Sequence, residues 1–172
     1  RRDNLVGEVN QGWPIAKRLL QHERNMVAGM GTRGAPSNPK HTIENQAKKY
    51  TGEVQGKIAD SNLRDKITRH KMNAKAFSLT LRRSALEART SSAPSPASSM
   101  FKYYGTEQNK GRFEVMMNLL GSQGLGWDGD GFLEKELLTT REWLRSKANS
   151  IEGGTSEIQL NIIAKRVLEL PD

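Results

Sequence analysis

Glu23 is the residue whose surroundings most invite chemistry. It lies at helical spacing from Ala16, Leu19, Leu20, Val27 and Met30, so a carboxylate stands within an otherwise apolar stripe. An apolar environment disfavours the charged form of a carboxylate, which is how a general acid or base is brought into play near neutral pH. From the pattern alone, a stripe-edge Glu paired with a basic neighbour explains the position at least as well.

A second place of interest is Gly153-Gly154-Thr155, immediately before Ser156-Glu157-Ile158-Gln159. The latter matches a capping box with Ser156 as the cap and Gln159 reaching back, so a helix should begin here. Two glycines ahead of a helix N-terminus let backbone amides approach a phosphate or pyrophosphate, although a flexible entry loop has the same composition. Trp127 to Phe132, WDGDGF, lacks the ligand spacing and terminal Glu of a calcium loop and reads as a turn. Gly121, Gly124 and Gly126 follow no strand, so they are not a dinucleotide fingerprint. His70 falls on a helix seam and reads as a core histidine; with His22 and His41 it forms no metal-ligand spacing, and no metal is expected.

These residues need helices to position them, and the chain supplies the periodicities. Apolar spacing predicts helices over about 12–30, a short piece at 42–50, then 61–89, 100–120, 134–148 and 156–168. The third of these carries a seam through Leu63, Ile67, His70, Ala74, Phe77, Leu81, Ala85 and Ala88, and the fourth a stripe through Tyr103, Phe113, Met116, Met117 and Leu120. GMGTRGAPSNPK and TSSAPSPASS are loop and linker, GSQGLGWDGDGF is a glycine-dense turn, and nothing alternates with period two long enough to be a strand. An all-α fold follows: an antiparallel bundle of about four principal helices with extra short helices, in one domain over 1–172.

Composition narrows the partners. The chain has 172 residues, no cysteine, a net charge of +8 and a pI near 9.9. Without cysteine there are no disulfides or thiolate metal sites. Lys17, Arg18, Arg64, Arg69, Lys71, Arg82 and Arg83 are mixed with acids along helical faces, without interleaved aromatics, so a solvated face is expected rather than a nucleic-acid surface. No stretch has the apolar length of a membrane span or signal peptide, so neither membrane association nor export is expected and the expected location is cytoplasmic.

The string SIEGGTSEIQLNIIAKRVLELP closely resembles the closing signature of the acyl-CoA dehydrogenase family, where Gly-Thr-Ser-Glu-Ile-Gln opens the last helix. NLVGEVNQGWPIAKRLLQHER resembles the same family's passage from its central β-domain into the C-terminal bundle. The resemblance covers the whole chain. It implies a fragment lacking the N-terminal helical and central β-domains, inactive alone and oligomeric, as a homo- or hetero-oligomer, dimer or tetramer.

The resemblance also implies an activity. A carboxylate removes the α-proton of an acyl-CoA thioester, FAD accepts the β-hydride, and electrons pass to an electron-transferring flavoprotein. Some members carry the base just before the Gly-Thr of the last signature, where Gly153 stands here. Others carry it on the first helix beside an Arg, as Glu23 stands beside Arg24. The family comparison therefore falls on Glu23, with Glu152 one position out of register as the runner-up. By the same matching Gln21, Arg24 and Gly153 line the acyl-CoA site, and Thr155 and Glu157 contact the flavin diphosphate or ribose. Asn118 and Gly121 partly match a Gln-x-x-Gly-Gly flavin segment contributed across a subunit interface. One departure is plain: the family's Arg-x-x-Phe-Gly element is absent from KKYTGEVQGK. A non-catalytic partner subunit, keeping the fold without the flavin, is the alternative expectation.

Overall fold

The computed structural model describes residues 2–28, 42–87 and 97–171, and within them all side chains except those at 2, 21, 24–28 and 97. Six α-helices dominate: α1 Gly12–Ala28, α2 Ile43–Thr51, α3 Ser61–Glu87, α4 Ala97–Leu120, α5 Glu134–Ser146 and α6 Ser156–Arg166. The expected all-α bundle is what the chain forms. The loop over 29–40 and most of the linker over 90–99 lie outside the described residues.

Local chemistry sets the helix limits. Thr42 accepts the Asn45 amide at 3.2 Å to open α2, and Asp60 accepts the Leu63 amide at 2.9 Å to open α3. Pro14 sits in the first turn of α1, where its missing amide hydrogen has no helical partner to lose. After α5 the chain tightens into a 3-10 turn, Lys147–Ser150, that takes up the end of the helix expected over 134–148.

Helix α4 is central: α1, α2, α3, α5 and α6 all pack on it. At its C-terminal half Val115, Leu119 and Leu120 meet Ala47, Ile58, Leu63 and Ile67. At its other end Phe101 and Tyr104 pack on Phe77 of α3, with centroids 6.3 and 5.3 Å away. Early α3 therefore meets late α4 and late α3 meets early α4, which makes the pair antiparallel.

The expected α3 seam holds from Leu63 to Leu81, whereas Ala85 is exposed and Ala88 is outside the described residues. Beyond Leu81 the antiparallel run has passed the start of α4, so no described helix remains to cover the seam. The expected α1 stripe is the larger correction. Leu19 is 66% exposed and Leu20 38%, and only Ala16 and Glu23 are half-buried among the side chains described there. A strand-free chain is also corrected in a small way. Glu53–Val54 and Lys57–Ile58 pair as an antiparallel hairpin through Gln55 and Gly56, both at positive φ. Strands this short cannot show an alternation in sequence.

Tyr50 ties α2 to α5 by donating to Glu136 Oε1 at 2.5 Å, while Glu136 Oε2 accepts the Leu133 amide at 2.8 Å. Burial, reinforced by the Glu136 carboxylate, pushes the Tyr50 hydroxyl up to about 12. Raised in the folded state, this group contributes stability below its unfolded value near 10 and loses it as pH rises towards 12. Tyr50→Phe should cost about 1.5–3 kcal/mol near neutral pH, because a hydrogen bond to a buried carboxylate is lost. Urea unfolding of both proteins at neutral pH and across pH 10–12 checks this, with the difference expected to shrink in the alkaline range.

Candidate active site at the entry to the last helix

The turn leading into α6 is shaped by Gly153 and Gly154, at φ +67° and +93°. L-residues with a side chain rarely adopt these values. The turn leaves Thr155 in extended backbone, and its hydroxyl accepts the Ile158 amide at 3.3 Å. Thr155 is thus the cap, one residue earlier than the expected Ser156. Gln159 does not reach the cap amide either. It is fully buried and donates from Nε2 to the Gly153 carbonyl at 3.0 Å.

Glu23 of α1 reaches this turn: its Oε1 accepts the Gly153 amide at 3.0 Å, joining residues 130 positions apart. The chain therefore brings together the two positions at which family members differ, the carboxylate on the first helix and the glycine before the last. Glu23 is half-buried, less enclosed than an intact apolar stripe would have made it. Glu152, the runner-up, is engaged elsewhere: it pairs with Arg145 and accepts from Asn149 Nδ2 at 3.0 Å. Gln21 and Arg24 flank Glu23 on α1, and their side chains lie outside those described.

An open cleft of about 400 Å³ between α4 and the start of α6 is lined by Tyr103, Glu107, Lys110, Thr155, Ser156 and Glu157. Ser156 Oγ is buried there and has no hydrogen-bond partner among the described residues. Glu157 is held below the usual carboxylate range by its own backbone amide at the helix start and then by the Thr155 hydroxyl. An orphaned hydroxyl at the positive end of α6 fits a diphosphate or ribose oxygen of a flavin nucleotide, while the Lys110 ammonium is paired with Glu107 at 2.8 Å.

Asn118 and Gly121 lie further along α4, Asn118 about 12 Å from Lys110 of this cleft at 1.5 Å per residue. Asn118 Oδ1 accepts from Lys66 at 3.1 Å, and Gly121, at φ +55°, opens the 3-10 turn Gly121–Leu125. Nearby, in place of an Arg-x-x-Phe-Gly element, the hairpin shows Lys48 paired with Glu53 at 3.0 Å and Arg64 donating to the Ile58 carbonyl at 2.9 Å.

One residue of the site escapes a hydrophobic reading altogether. Lys102 is fully buried on α4 and donates to the Gly154 carbonyl at 2.6 Å. Early α4 presents Ser99, Lys102, Gly105 and Thr106 inward, small or polar types that register no apolar stripe; the capping motif does at least contain Gln159. Among the described residues no three His, Asp or Glu side chains are placed to hold a metal, and no helix is long and apolar enough to cross a membrane.

Comparison with known proteins places these features in a family. The family model for the acyl-CoA dehydrogenase C-terminal domain matches residues 10–168. The acyl-CoA dehydrogenase FadE34 of Mycobacterium tuberculosis is 30% identical over 97% of this chain and 21% of its own length. IpdE1 of Mycolicibacterium smegmatis, also an acyl-CoA dehydrogenase, is 28% identical over 97% of this chain and 39% of its own. The chain thus spans between about a fifth and two fifths of these relatives. In fold it is similar to a variant of the Tcur3481-Tcur3483 steroid ACAD, with a TM-score of 0.74 at 21% identity over 97% of this chain and 42% of that one. The ChsE4-ChsE5 complex of Mycobacterium tuberculosis gives 0.67 at 24% identity over 97% and 43%.

Proposed function

Because this chain belongs to the acyl-CoA dehydrogenase family, as its C-terminal helical domain, we propose that it serves α,β-dehydrogenation of an acyl-CoA thioester with Glu23 as the base. The observation that carries this reading is the 3.0 Å contact between Glu23 and the Gly153 amide. It sets a carboxylate on the first helix against the glycine turn at the entry to the last helix. In the reaction the α C–H bond breaks and its proton goes to Glu23. The β C–H bond breaks with its electron pair, and a Cα=Cβ double bond forms. FAD, held by Thr155, Ser156 and Glu157, would supply the hydride acceptor, as it does in the family.

Gln21 and Arg24, two residues before and one after Glu23 on α1, are the proposed residues that orient the thioester. Electron-transferring flavoprotein is the proposed electron acceptor. Exposed Trp13 and Leu19 on α1, and Met72, Leu79 and Leu86 on α3, support an oligomer whose other surfaces cover them. Both solved neighbours are named as pairs of components, which favours a heteromeric assembly. A second reading, a partner subunit that has lost flavin binding, draws on the hairpin, where Arg64 is spent on a carbonyl and no Arg-x-x-Phe-Gly element exists.

The visible spectrum of the protein expressed from its full gene separates the two readings. The dehydrogenase reading expects a flavin spectrum, and expects the 172-residue chain alone to bleach no flavin. A colourless protein that binds neither FAD nor acyl-CoA would support the partner-subunit reading instead.

A further inference from the structure

Consecutive glycines are the most permissive pair a turn can have, yet the Gly153 amide must stay on Glu23 to orient it. Something other than a side chain on the turn has to fix the backbone. Two donors from behind do so: Gln159 Nε2 holds the Gly153 carbonyl at 3.0 Å and Lys102 Nζ holds the Gly154 carbonyl at 2.6 Å. Each peptide unit is planar, so gripping a carbonyl fixes the whole plane it belongs to. The two planes gripped are those on either side of Gly154, and together they set both of its backbone dihedrals. The Gly153 amide belongs to the plane before these, which Glu23 holds from the front, so three successive planes of the turn are gripped.

Lys102 is costly to keep for any lesser purpose. It is 0% exposed, and among the described residues no carboxylate is in ion-pair contact with its ammonium; Glu107, Glu152 and Glu157 act on it only at longer range. A buried ammonium is tolerated where a specific acceptor compensates it, and an apolar side chain would fill the same space at lower cost. The acceptor here is the Gly154 carbonyl. Gln159 is likewise 0% exposed, and the only hydrogen bond of its side chain among the described residues is the one to the turn.

We infer that Lys102 and Gln159 are positioning residues that hold the Gly153-Gly154 turn from behind, keeping the Gly153 amide on the Glu23 carboxylate. The inference rests on Glu23 being the base proposed above. Lys102→Met, Lys102→Arg and Gln159→Leu, made in the protein expressed from its full gene, test it by two independent readouts. Hydrogen exchange followed by mass spectrometry should show amides over 152–155 exchanging about 10-fold faster in Lys102→Met and Gln159→Leu, with exchange in α3 unchanged. Acyl-CoA-dependent flavin bleaching should show kcat about 10- to 100-fold lower with KM nearly constant, the signature of a displaced base rather than a lost binding contact. Lys102→Arg, which keeps a buried donor, should recover most of both. Unchanged exchange over 152–155 in both variants, or a rise in KM with kcat intact, overturns the inference. If Lys102→Met fails to fold, Gln159→Leu carries the test. If the wild type holds FAD but bleaches with no acyl-CoA, the proposed function fails, and exchange alone then decides whether the two residues hold the turn.

Discussion

Glu23→Gln is expected to lower the rate of acyl-CoA-dependent flavin bleaching by about 10²- to 10⁴-fold while leaving the bound flavin in place. A glutamine keeps the size of the side chain and can still accept the Gly153 amide through its carbonyl oxygen. What it loses is the capacity to take a proton. The loss should therefore fall on kcat, with KM changed little. Flavin retention is expected on the proposed flavin site, since Thr155, Ser156 and Glu157 line the cleft on the α4 side of the turn and Glu23 is not among its lining residues. Rapid mixing under anaerobic conditions measures the rate, and the visible spectrum of the same sample measures the flavin. Should Glu152→Gln lose the rate and Glu23→Gln keep it, the base is the runner-up, despite its contacts with Arg145 and Asn149.

Gly154→Ala should have the next largest effect. At φ +93° any side chain strains the backbone, and an added Cβ would lie 2.7 Å from Gln159 Nε2. The backbone term costs about 1–3 kcal/mol. Relief of the clash would push the Gln159 amide off the Gly153 carbonyl, so bleaching should fall together with stability. Gly111→Ala is the informative contrast. Gly111 lies within α4, and a Cβ there meets nothing within 4 Å. That substitution should stabilise by about 0.5–1 kcal/mol, because alanine restricts the unfolded chain and favours helix. Urea unfolding of the two variants checks the opposite signs. Equal and small effects at both positions would mean that the Gly154 turn is not as constrained as described.

The helices were legible because their apolar spacings are long, although in α4 only the second half, through Phe113, Met116, Met117 and Leu120, carries the stripe. Their ends were legible to within about three residues, the largest difference being the start of α4 at Ala97 rather than 100. The cap of α6 was misplaced by one position because Thr155 and Ser156 carry the same hydroxyl chemistry, and only the backbone set by Gly153 and Gly154 decides between them. The burial of α1 was not legible. A stripe shows which residues share a face, and Leu19 shares it yet remains 66% exposed in this chain.

The site divides in the same way. Glu23 stood out locally as a carboxylate among apolar residues, and Gly153 as part of a glycine pair, but no local signal links positions 130 apart. Family resemblance supplied that link, and the fold then brought the two within hydrogen-bond distance. Lys102 could not be read from pattern, because lysine is normally the mark of a solvated face and here it is fully buried. Asn118 and Gly121 were singled out with the others, yet they sit at the opposite end of α4. A part for them in a flavin site would need a second subunit, as the family resemblance implies.

The central claim is that Glu23 removes the α-proton, and exchange of that proton tests it most directly. A 3-thiaacyl-CoA has sulfur in place of the β-carbon and so has no β-hydride to lose, which isolates proton removal from oxidation. In deuterated water the wild-type protein should wash deuterium into the α-position of this ligand, and Glu23→Gln should do so at least about 10²-fold more slowly. Exchange at the wild-type rate in Glu23→Gln would contradict the account.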